Sequence, residues 1–347
     1  MAQITNNKAA WIPFEKAKYL EVGPGPTPDP GENEVVIKVA YAAVNPSDWK
    51  FQDHPYWVIP YPSILGTDVA GTVAQLGSAV TRFKVGQRVI GHCDSILTHK
   101  AANAGYQLCS TTREILITEI PDSLPLAHAA VLPLSIDTAV TGLFTMLKLP
   151  YPSLNPTPTG KTVLIWGGSS SVGSSAIQLA DLPSVAAGLT VATTAGPHNE
   201  AYVKSLGATH YFDYKAPNVV EKIRKVLKKG DVIFDVTSTE SSQKACAELL
   251  SGIGGGLLPI VLFPVKTGFD NVEIKFTNGL DPGFVDFQLG DYIWKKFIPQ
   301  ALATGKFQAK PDPLILEGGL ERVQEGINML RKGVSAQKIV IEVAKHA

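Results

Sequence analysis

Two patterns of apolar positions divide the chain. Residues 34–44 (Glu-Val-Val-Ile-Lys-Val-Ala-Tyr-Ala-Ala-Val) and 68–76 (Asp-Val-Ala-Gly-Thr-Val-Ala-Gln-Leu) are short runs rich in β-branched residues, separated by Pro- and Gly-rich turns, and predict strands. The run 85–91 predicts a further short strand pair. From residue 127 the spacing turns helical, and 150–160, with four prolines, reads as a loop. Beyond it, strands predicted at 162–166, 189–193, 210–214, 232–237 and 257–263 alternate with helices at 173–180, 219–228 and 241–250. Such alternation is the signature of a doubly wound parallel sheet, because parallel strands need helical crossovers. A helix at 320–331 and a strand at 338–343 are expected to return to the first domain or to close the cleft. The fold class is therefore α/β: an N-terminal β-rich domain, 1–127 with 310–347 added, and a doubly wound domain at 128–309.

The chemistry concentrates at 162–173, Thr-Val-Leu-Ile-Trp-Gly-Gly-Ser-Ser-Ser-Val-Gly, where an apolar strand breaks into small residues and then a helix. A dinucleotide pyrophosphate requires that order, since a tight turn must present backbone N–H groups at the positive end of a helix. Gly168 and Gly173 meet the Gly-x-Gly-x-x-Gly spacing of a Rossmann site, with Ser170 at the middle position. Ser169, Ser171 and Val172 complete the predicted phosphate turn. The competing reading is an ordinary serine-capped strand-to-helix turn. At the end of the second strand an NAD site places an acid on the ribose, whereas an NADP site omits it. The chain there reads Thr-Thr-Ala-Gly-Pro-His-Asn, with no acid between Pro183 and Asn199. This favours NADPH as cofactor, with Gly196, Pro197, His198, Asn199 and Lys204 as candidate partners of its 2′-phosphate or ribose.

Composition narrows the alternatives. The 347 residues are 45% hydrophobic and 18% charged, enough for two sizeable cores, and the formal net charge is zero. No basic tract points to nucleic acid. No leader-like N-terminus or uninterrupted apolar segment of bilayer length is read from the pattern, so a cytoplasmic protein without a membrane partner is expected. Cys93, Cys109 and Cys246 are too few and too scattered for a disulfide framework or paired zinc ligands, and the loop-like set His92, Cys93, His99 and Cys109 matches no familiar metal spacing. No metal is expected.

The order of motifs resembles one family over nearly the whole chain. Asn45-Pro46-Ser47-Asp48, Gly66-Thr67-Asp68-Val69-Ala70-Gly71, the segment Leu132-Pro133-Leu134-Ser135-Ile136-Asp137-Thr138-Ala139 and a mid-chain Rossmann domain together look like the medium-chain dehydrogenase/reductase superfamily. Within it the chain is most similar to the zinc-independent fungal branch that includes trans-acting enoyl reductases. The resemblance implies a GroES-like N-terminal domain. Zinc-dependent members place a catalytic Cys near Ser47 and a His-Glu pair at Thr67 and Asp68, so zinc-assisted alcohol oxidation is not expected here.

By the same resemblance Ser47, Asp48, Trp49 and Lys50 lie beside the nicotinamide, and Lys50 and Thr138 are the two candidate catalytic residues. Lys50 is placed to hydrogen-bond the ribose or a substrate carbonyl, Thr138 the carboxamide or the substrate; the plainer readings are a solvated lysine and a helix-interior hydroxyl. Asp48 and Asp68 read as structural groups. Tyr214 stands where relatives place an aromatic beside the adenosine, with a core tyrosine as the alternative. Leu262 and Phe263 fall at the carboxyl end of a strand, and Val334 and Ser335 just before the last one. The expected activity is hydride transfer from NADPH to an α,β-unsaturated carbonyl, small or carried by a carrier protein. A quinone or general enone reductase and a non-catalytic NADPH-binding protein are the alternatives. Pro259 and Pro264 around a predicted edge strand at 257–263 favour a monomer over a dimer.

Overall fold

Strands form in the first half where β-branched residues alternate between turns. In the computed structural model, which describes residues 4, 6–54, 59–181 and 188–345, they are β1 (Lys8–Ile12), β2 (Glu21–Pro24), β3 (Glu34–Ala43), β4 (Ser63–Ile64), β5 (Asp68–Leu76), β6 (Arg88–His92), β7 (Cys109–Arg113) and β8 (Ile117–Glu119). The predicted pair at 85–91 is the single strand β6, because Gln87 ends a turn whose amides bond back to Lys84 and Val73. Next come β9 (Thr162–Trp166), β10 (Thr190–Ala195), β11 (His210–Asp213), β12 (Val232–Asp235), β13 (Gly256–Ile260) and β14 (Val272–Phe276), then β15 (Asp312–Leu316) and β16 (Gln337–Glu342).

The chain divides into two compact units, Met1–Pro133 with Ile293–Pro299 and Asp312–Ala347, and Leu134–Tyr292 with Gln300–Pro311. Among the described residues the first unit holds a seven-stranded sheet in the order β15-β16-β3-β5-β6-β8, with β7 paired to β3, and a three-stranded sheet β2-β1-β4. The last strand, β16, pairs antiparallel with β3 through Val340 and Ala43. Its core runs through Ile37, Val39, Val69, Val89, Ile117, Val323 and Ile341. Arg82 fixes Ile293–Pro299 to this unit by donating to the carbonyls of Trp294, Glu114 and Ile117 at 3.3, 2.7 and 2.8 Å.

The second unit is a parallel sheet in the order β11-β10-β9-β12-β13-β14. That order reverses at β9 and β12, the place where a doubly wound sheet opens a crevice at its carboxyl edge. Every residue of β9 is buried, as a central parallel strand covered on both faces must be. The expected edge strand at 257–263 is corrected: β13 stops at Ile260 and pairs on its outer side with β14, so Val272–Phe276 is the edge. Pro259 sits inside the sheet opposite Lys275, and the argument for a monomer from Pro259 and Pro264 falls away.

One further expectation is corrected. The helical stretch Leu126–Met146 has the length and apolarity of a bilayer span, and most of its apolar window is buried inside the protein, as a core helix would be.

The carboxyl edge of the second sheet is held by polar groups. Asp235, at the end of β12, accepts from the amides of Thr237 (3.0 Å) and Ser238 (2.7 Å) and from the Ser242 hydroxyl (2.7 Å). Ser238 stands at φ +56° and accepts from the amide of Val261 at 2.8 Å. Gln243 donates to the carbonyls of Ser238 and Phe263, both at 2.9 Å, and accepts from Val265 at 3.0 Å. The loops after β12 and β13 are thereby one hydrogen-bonded body.

Two outcomes follow from this packing. Gly71 of β5 faces a bulge in β3, and a Cβ there would sit 2.0 Å from the Lys38 carbonyl oxygen, so Gly71→Ala is expected to cost about 2 kcal/mol or more in urea unfolding. Burial pushes the Asp235 carboxyl up to about 6, against the pull of its three donors. The folded chain then binds that proton more tightly than the unfolded one, so this group's contribution to stability is full below about pH 4 and is lost as pH rises to about 6. Asp235→Asn keeps the acceptor and removes the titration. Its stability relative to the natural chain should therefore rise by on the order of 3 kcal/mol between pH 4 and pH 7, read as urea midpoints; parallel curves would contradict the assignment.

Candidate functional site

In the second unit the bend after β9 is built by three close approaches. Gly167 adopts φ +101°, and a Cβ on it would meet the Thr237 hydroxyl at 2.2 Å. A Cβ on Gly168 would lie 2.2 Å from the Thr193 hydroxyl, and one on Gly173 would lie 2.3 Å from the Gly167 carbonyl oxygen. No side chain fits at any of the three, so the helix Ser171–Ala180 starts directly on the end of β9. Gly168 and Gly173 are thus where the motif placed them. Gly167, which takes the left-handed turn, escaped the motif because a glycine doublet leaves two alignments open.

Ser170 caps this helix, its Oγ accepting from the Gly173 amide at 3.0 Å and donating to the Gly167 carbonyl at 2.8 Å. The first turn of a helix leaves amides without intrahelical partners, and Ser169, Ser170, Ser171 and Val172 are half-buried at the positive end of the helix dipole. Thr194 braces the bend from β10, its hydroxyl accepting from the Gly167 amide at 3.0 Å and its carbonyl from the Gly168 amide at 2.9 Å. Ser174 joins the same frame through the Tyr202 hydroxyl at 2.8 Å. Such an arrangement, first-turn amides at the positive end of a helix that starts at the carboxyl edge of a parallel sheet, is one that suits an anion.

The end of β10 leads into a short turn, Pro197–Asn199, with Pro197 and His198 exposed and Asn199 buried. Gly196 lets the His198 ring approach closely, since a Cβ there would lie 3.0 Å from Cε1. Lys204 is held by Glu200 at 2.6 Å one turn along the helix, so the first acid after the strand is answered locally. Tyr214 lies just beyond β11 with 46% of its surface exposed, which excludes the core-tyrosine reading. Leu262 is half-buried, and Phe263 is 50% exposed and stacked on Phe276 with ring centres 6.5 Å apart. Thr138 lies in the second turn of the helix Pro133–Val140, buried, and close enough to Gly279 that a Cβ there would stand 2.6 Å from its hydroxyl.

In the first unit Ser47, Asp48, Trp49 and Lys50 form the first turns of the helix Pro46–Asp53, which Asn45 caps and Pro46 starts. Asp48 is buried. Its carboxylate accepts from the Asn45 amide (2.7 Å), the Tyr106 hydroxyl (2.6 Å) and the Gly66 amide (3.3 Å). This is the structural role expected of it, and burial pushes its pKa up to about 6. Lys50 is half-buried with its ammonium 5.5 Å from the Trp49 ring centre, and burial pulls its pKa down from the usual lysine value. The fully solvated reading of this lysine does not hold. The Ser47 hydroxyl oxygen is buried and has no hydrogen-bond partner among the described residues. Val334 packs on the core of this unit, and Ser335 is exposed beside it.

The positions at which zinc-dependent relatives hold metal do not fit one here. Thr67 and Asp68 both accept from the Asn45 side-chain amide, at 2.9 and 2.8 Å, and Asp68 also faces the Lys338 ammonium at 3.1 Å. Among the described residues no three His, Cys, Asp or Glu side chains gather as a metal site. The three cysteines are free and buried, and burial pushes the Cys93 thiol up to about 12.

Comparison with known proteins agrees with this geometry. Residues 31–118 match the family "Alcohol dehydrogenase GroES-like domain" and residues 171–261 the family "Zinc-binding dehydrogenase". The chain is 61% identical over 339 residues to "Trans-enoyl reductase himH" of Aspergillus japonicus, covering 98% of each. It is 36% identical to "Dehydrogenase orsE" of Emericella nidulans, covering 98% of this chain and 100% of the relative. Among solved structures, "CurK enoyl reductase" superposes with a TM-score of 0.78 at 20% identity, over 98% of this chain and 100% of that one, a likeness of fold. The chain belongs to the nicotinamide-dependent medium-chain dehydrogenase/reductase superfamily, alongside the fungal trans-enoyl reductases.

Proposed function

We propose that the chain is an NADPH-dependent reductase that saturates the C=C of an α,β-unsaturated carbonyl, with an enoyl thioester of a polyketide pathway as substrate, small or borne on a carrier protein. The observation that carries this reading is the bend of Gly167 to Gly173, whose close backbone packing seats a Ser170-capped helix N-terminus directly on the end of β9. The enoyl substrate is supported by the relative that is 61% identical and named a trans-enoyl reductase.

When bound, the reduced nicotinamide supplies a hydride to the β-carbon of the substrate. The residues of this chain bind, orient and stabilise. The first-turn amides of Ser171 and Val172 take the pyrophosphate, because Ser170 already satisfies that of Gly173. The acid-free end of β10 admits the 2′-phosphate, with His198 exposed beside it and Glu200 neutralised by Lys204. Tyr214 offers an exposed ring to the adenosine. Negative charge grows on the carbonyl oxygen as hydride arrives, and a half-buried ammonium or a buried hydroxyl stabilises it more strongly than solvent would. Lys50 and Thr138 are the groups assigned to that oxygen or to the ribose and carboxamide that orient the ring. A proton from solution at the α-carbon completes the reduction. No step passes through a metal, since Thr67 and Asp68 are engaged by Asn45 and Lys338.

Two measurements test the reading. Titration calorimetry should show NADPH bound in preference to NADH, and His198→Asp should weaken NADPH by roughly ten-fold or more while sparing NADH. Absorbance of the reduced nicotinamide should fall with enoyl thioesters, and Lys50→Met should lower kcat by about a hundred-fold. Oxidation by quinones alone would move the chain to the quinone reductases, and no uptake of NADPH would end the proposal.

A further inference from the structure

Lys338 of β16 is a charge in an unusual place. Its side chain is 4% exposed, and its ammonium donates to the Asn45 side-chain oxygen and pairs with Asp68, itself fully buried. Removing a lysine and an aspartate from water costs several kcal/mol per ion, so a buried pair persists only where its geometry is good and its remaining hydrogen bonds are met. Here Asn45 touches both members of the pair. Asn45 points its oxygen at Lys338 and its NH2 at Thr67 and Asp68, which fixes the orientation of its amide. Its backbone amide then donates to Asp48, which also holds Tyr106 and Gly66. A continuous chain of hydrogen bonds runs from the last strand to the cap of the helix that bears Lys50.

That helix needs such support. Pro46–Asp53 has eight residues, below the length at which a helix is stable alone. Its far end is held from a second side: Arg331 makes a bidentate pair with Asp53, both contacts at 2.9 Å, and Gln52 exchanges hydrogen bonds with Gln324 at 2.9 and 3.1 Å. Arg331 and Gln324 belong to the helix Val323–Lys332, which leads through Val334 and Ser335 into Lys338. Both nicotinamide-side segments of this unit, 47–50 and 334–335, are therefore braced by the same helix and strand. The positive charge also has a local purpose. Asp68 raises the proton affinity of the Asp48 carboxyl and Lys338 lowers it, so the ammonium favours the ionised form that can accept all three donors.

We propose that Lys338 is a positioning residue for Lys50, an internal cation that joins β16 to the cap of the Pro46–Asp53 helix at positions where relatives bind zinc. Its bearing on catalysis rests on the enoyl-reductase reading above; its bearing on the helix does not.

The test uses the full chain. Lys338→Met alone strands the Asp68 charge, so the decisive variant is Lys338→Met with Asp68→Asn, which removes both charges and keeps an acceptor for Asn45. It should remain folded, with amides of β9 to β13 protected as in the natural chain. Exchange of the hydrogen-bonded amides in the Pro46–Asp53 helix, such as His54 to Lys50, should accelerate by roughly ten-fold or more. In NADPH-driven enoyl reduction kcat should fall by about ten-fold or more while KM for NADPH stays within about three-fold, because the phosphate bend is untouched. Lys338→Arg should recover part of both losses. Unchanged exchange in that helix would overturn the proposal, and so would accelerated exchange with unchanged kcat, as regards catalysis. If the natural chain reduces no enoyl thioester, the functional reading fails while the exchange result still decides the role of Lys338.

Discussion

The approach of Gly173 to the Gly167 carbonyl, within 2.3 Å of where a Cβ would stand, is the constraint on which the second unit depends. It brings the helix Ser171–Ala180 onto the end of the buried strand β9 with nothing between them, which places the positive end of the helix at the carboxyl edge of the sheet. The neighbouring strands adapt to that contact. Thr193 and Thr194 at the end of β10 and Thr237 after β12 put their hydroxyls against Gly167 and Gly168, so the bend is lined by small polar groups. A bulkier residue at Gly173 would push the helix away from the end of β9.

The first unit solves a different problem, that of holding an eight-residue helix in one orientation. Apolar burial supplies part of the answer, through the buried Phe51 and the partly buried Trp49, next to the buried Asp48 and Gln52. Polar groups supply the rest: a cap oriented by a buried ammonium at one end, a bidentate arginine at the other. Hydrogen bonds fix direction where dispersion does not, and leaving any of them unmade inside the protein costs more than making them gains. This explains why Asp48 and Asp68, both fully buried acids, occur within one small cluster.

The architecture was legible in the sequence where periodicity was strong. The runs at 34–44, 68–76, 162–166 and 232–237 became β3, β5, β9 and β12, because β-branched runs between turns have few other ways to be buried. Short edge elements were missed. β14 has only alternating exposure and carries Glu273 and Lys275, so it resembles a solvated loop, and the neighbouring β13 was read as the edge. The apolar stretch Leu126–Met146 escaped notice as a continuous helical segment because Pro133 interrupts its pattern; the segment turns at 130–132 and the proline starts the helix Pro133–Val140, where it is tolerated. At the site, the glycines and serines of the bend announced themselves by spacing. Thr194, Tyr106, Arg331 and Lys338 did not, since each acts on a residue remote in sequence, 27 positions away for Thr194 and 293 for Lys338.

An ammonium and a metal ion make different demands on the same fold. A metal needs three or more ligands converging at fixed distance and leaves an open position for substrate, whereas an ammonium needs only acceptors and leaves none. With Lys338 engaged by Asn45 and Asp68, the cation in this unit acts on the protein itself and not on a substrate oxygen. Under the function proposed above, the work of meeting charge on a carbonyl falls to another group, and the half-buried Lys50, on the helix whose cap Lys338 contacts through Asn45, is the cation proposed for it. On that proposal the two lysines are complementary: the buried one holds the cap of the helix that carries the half-buried one.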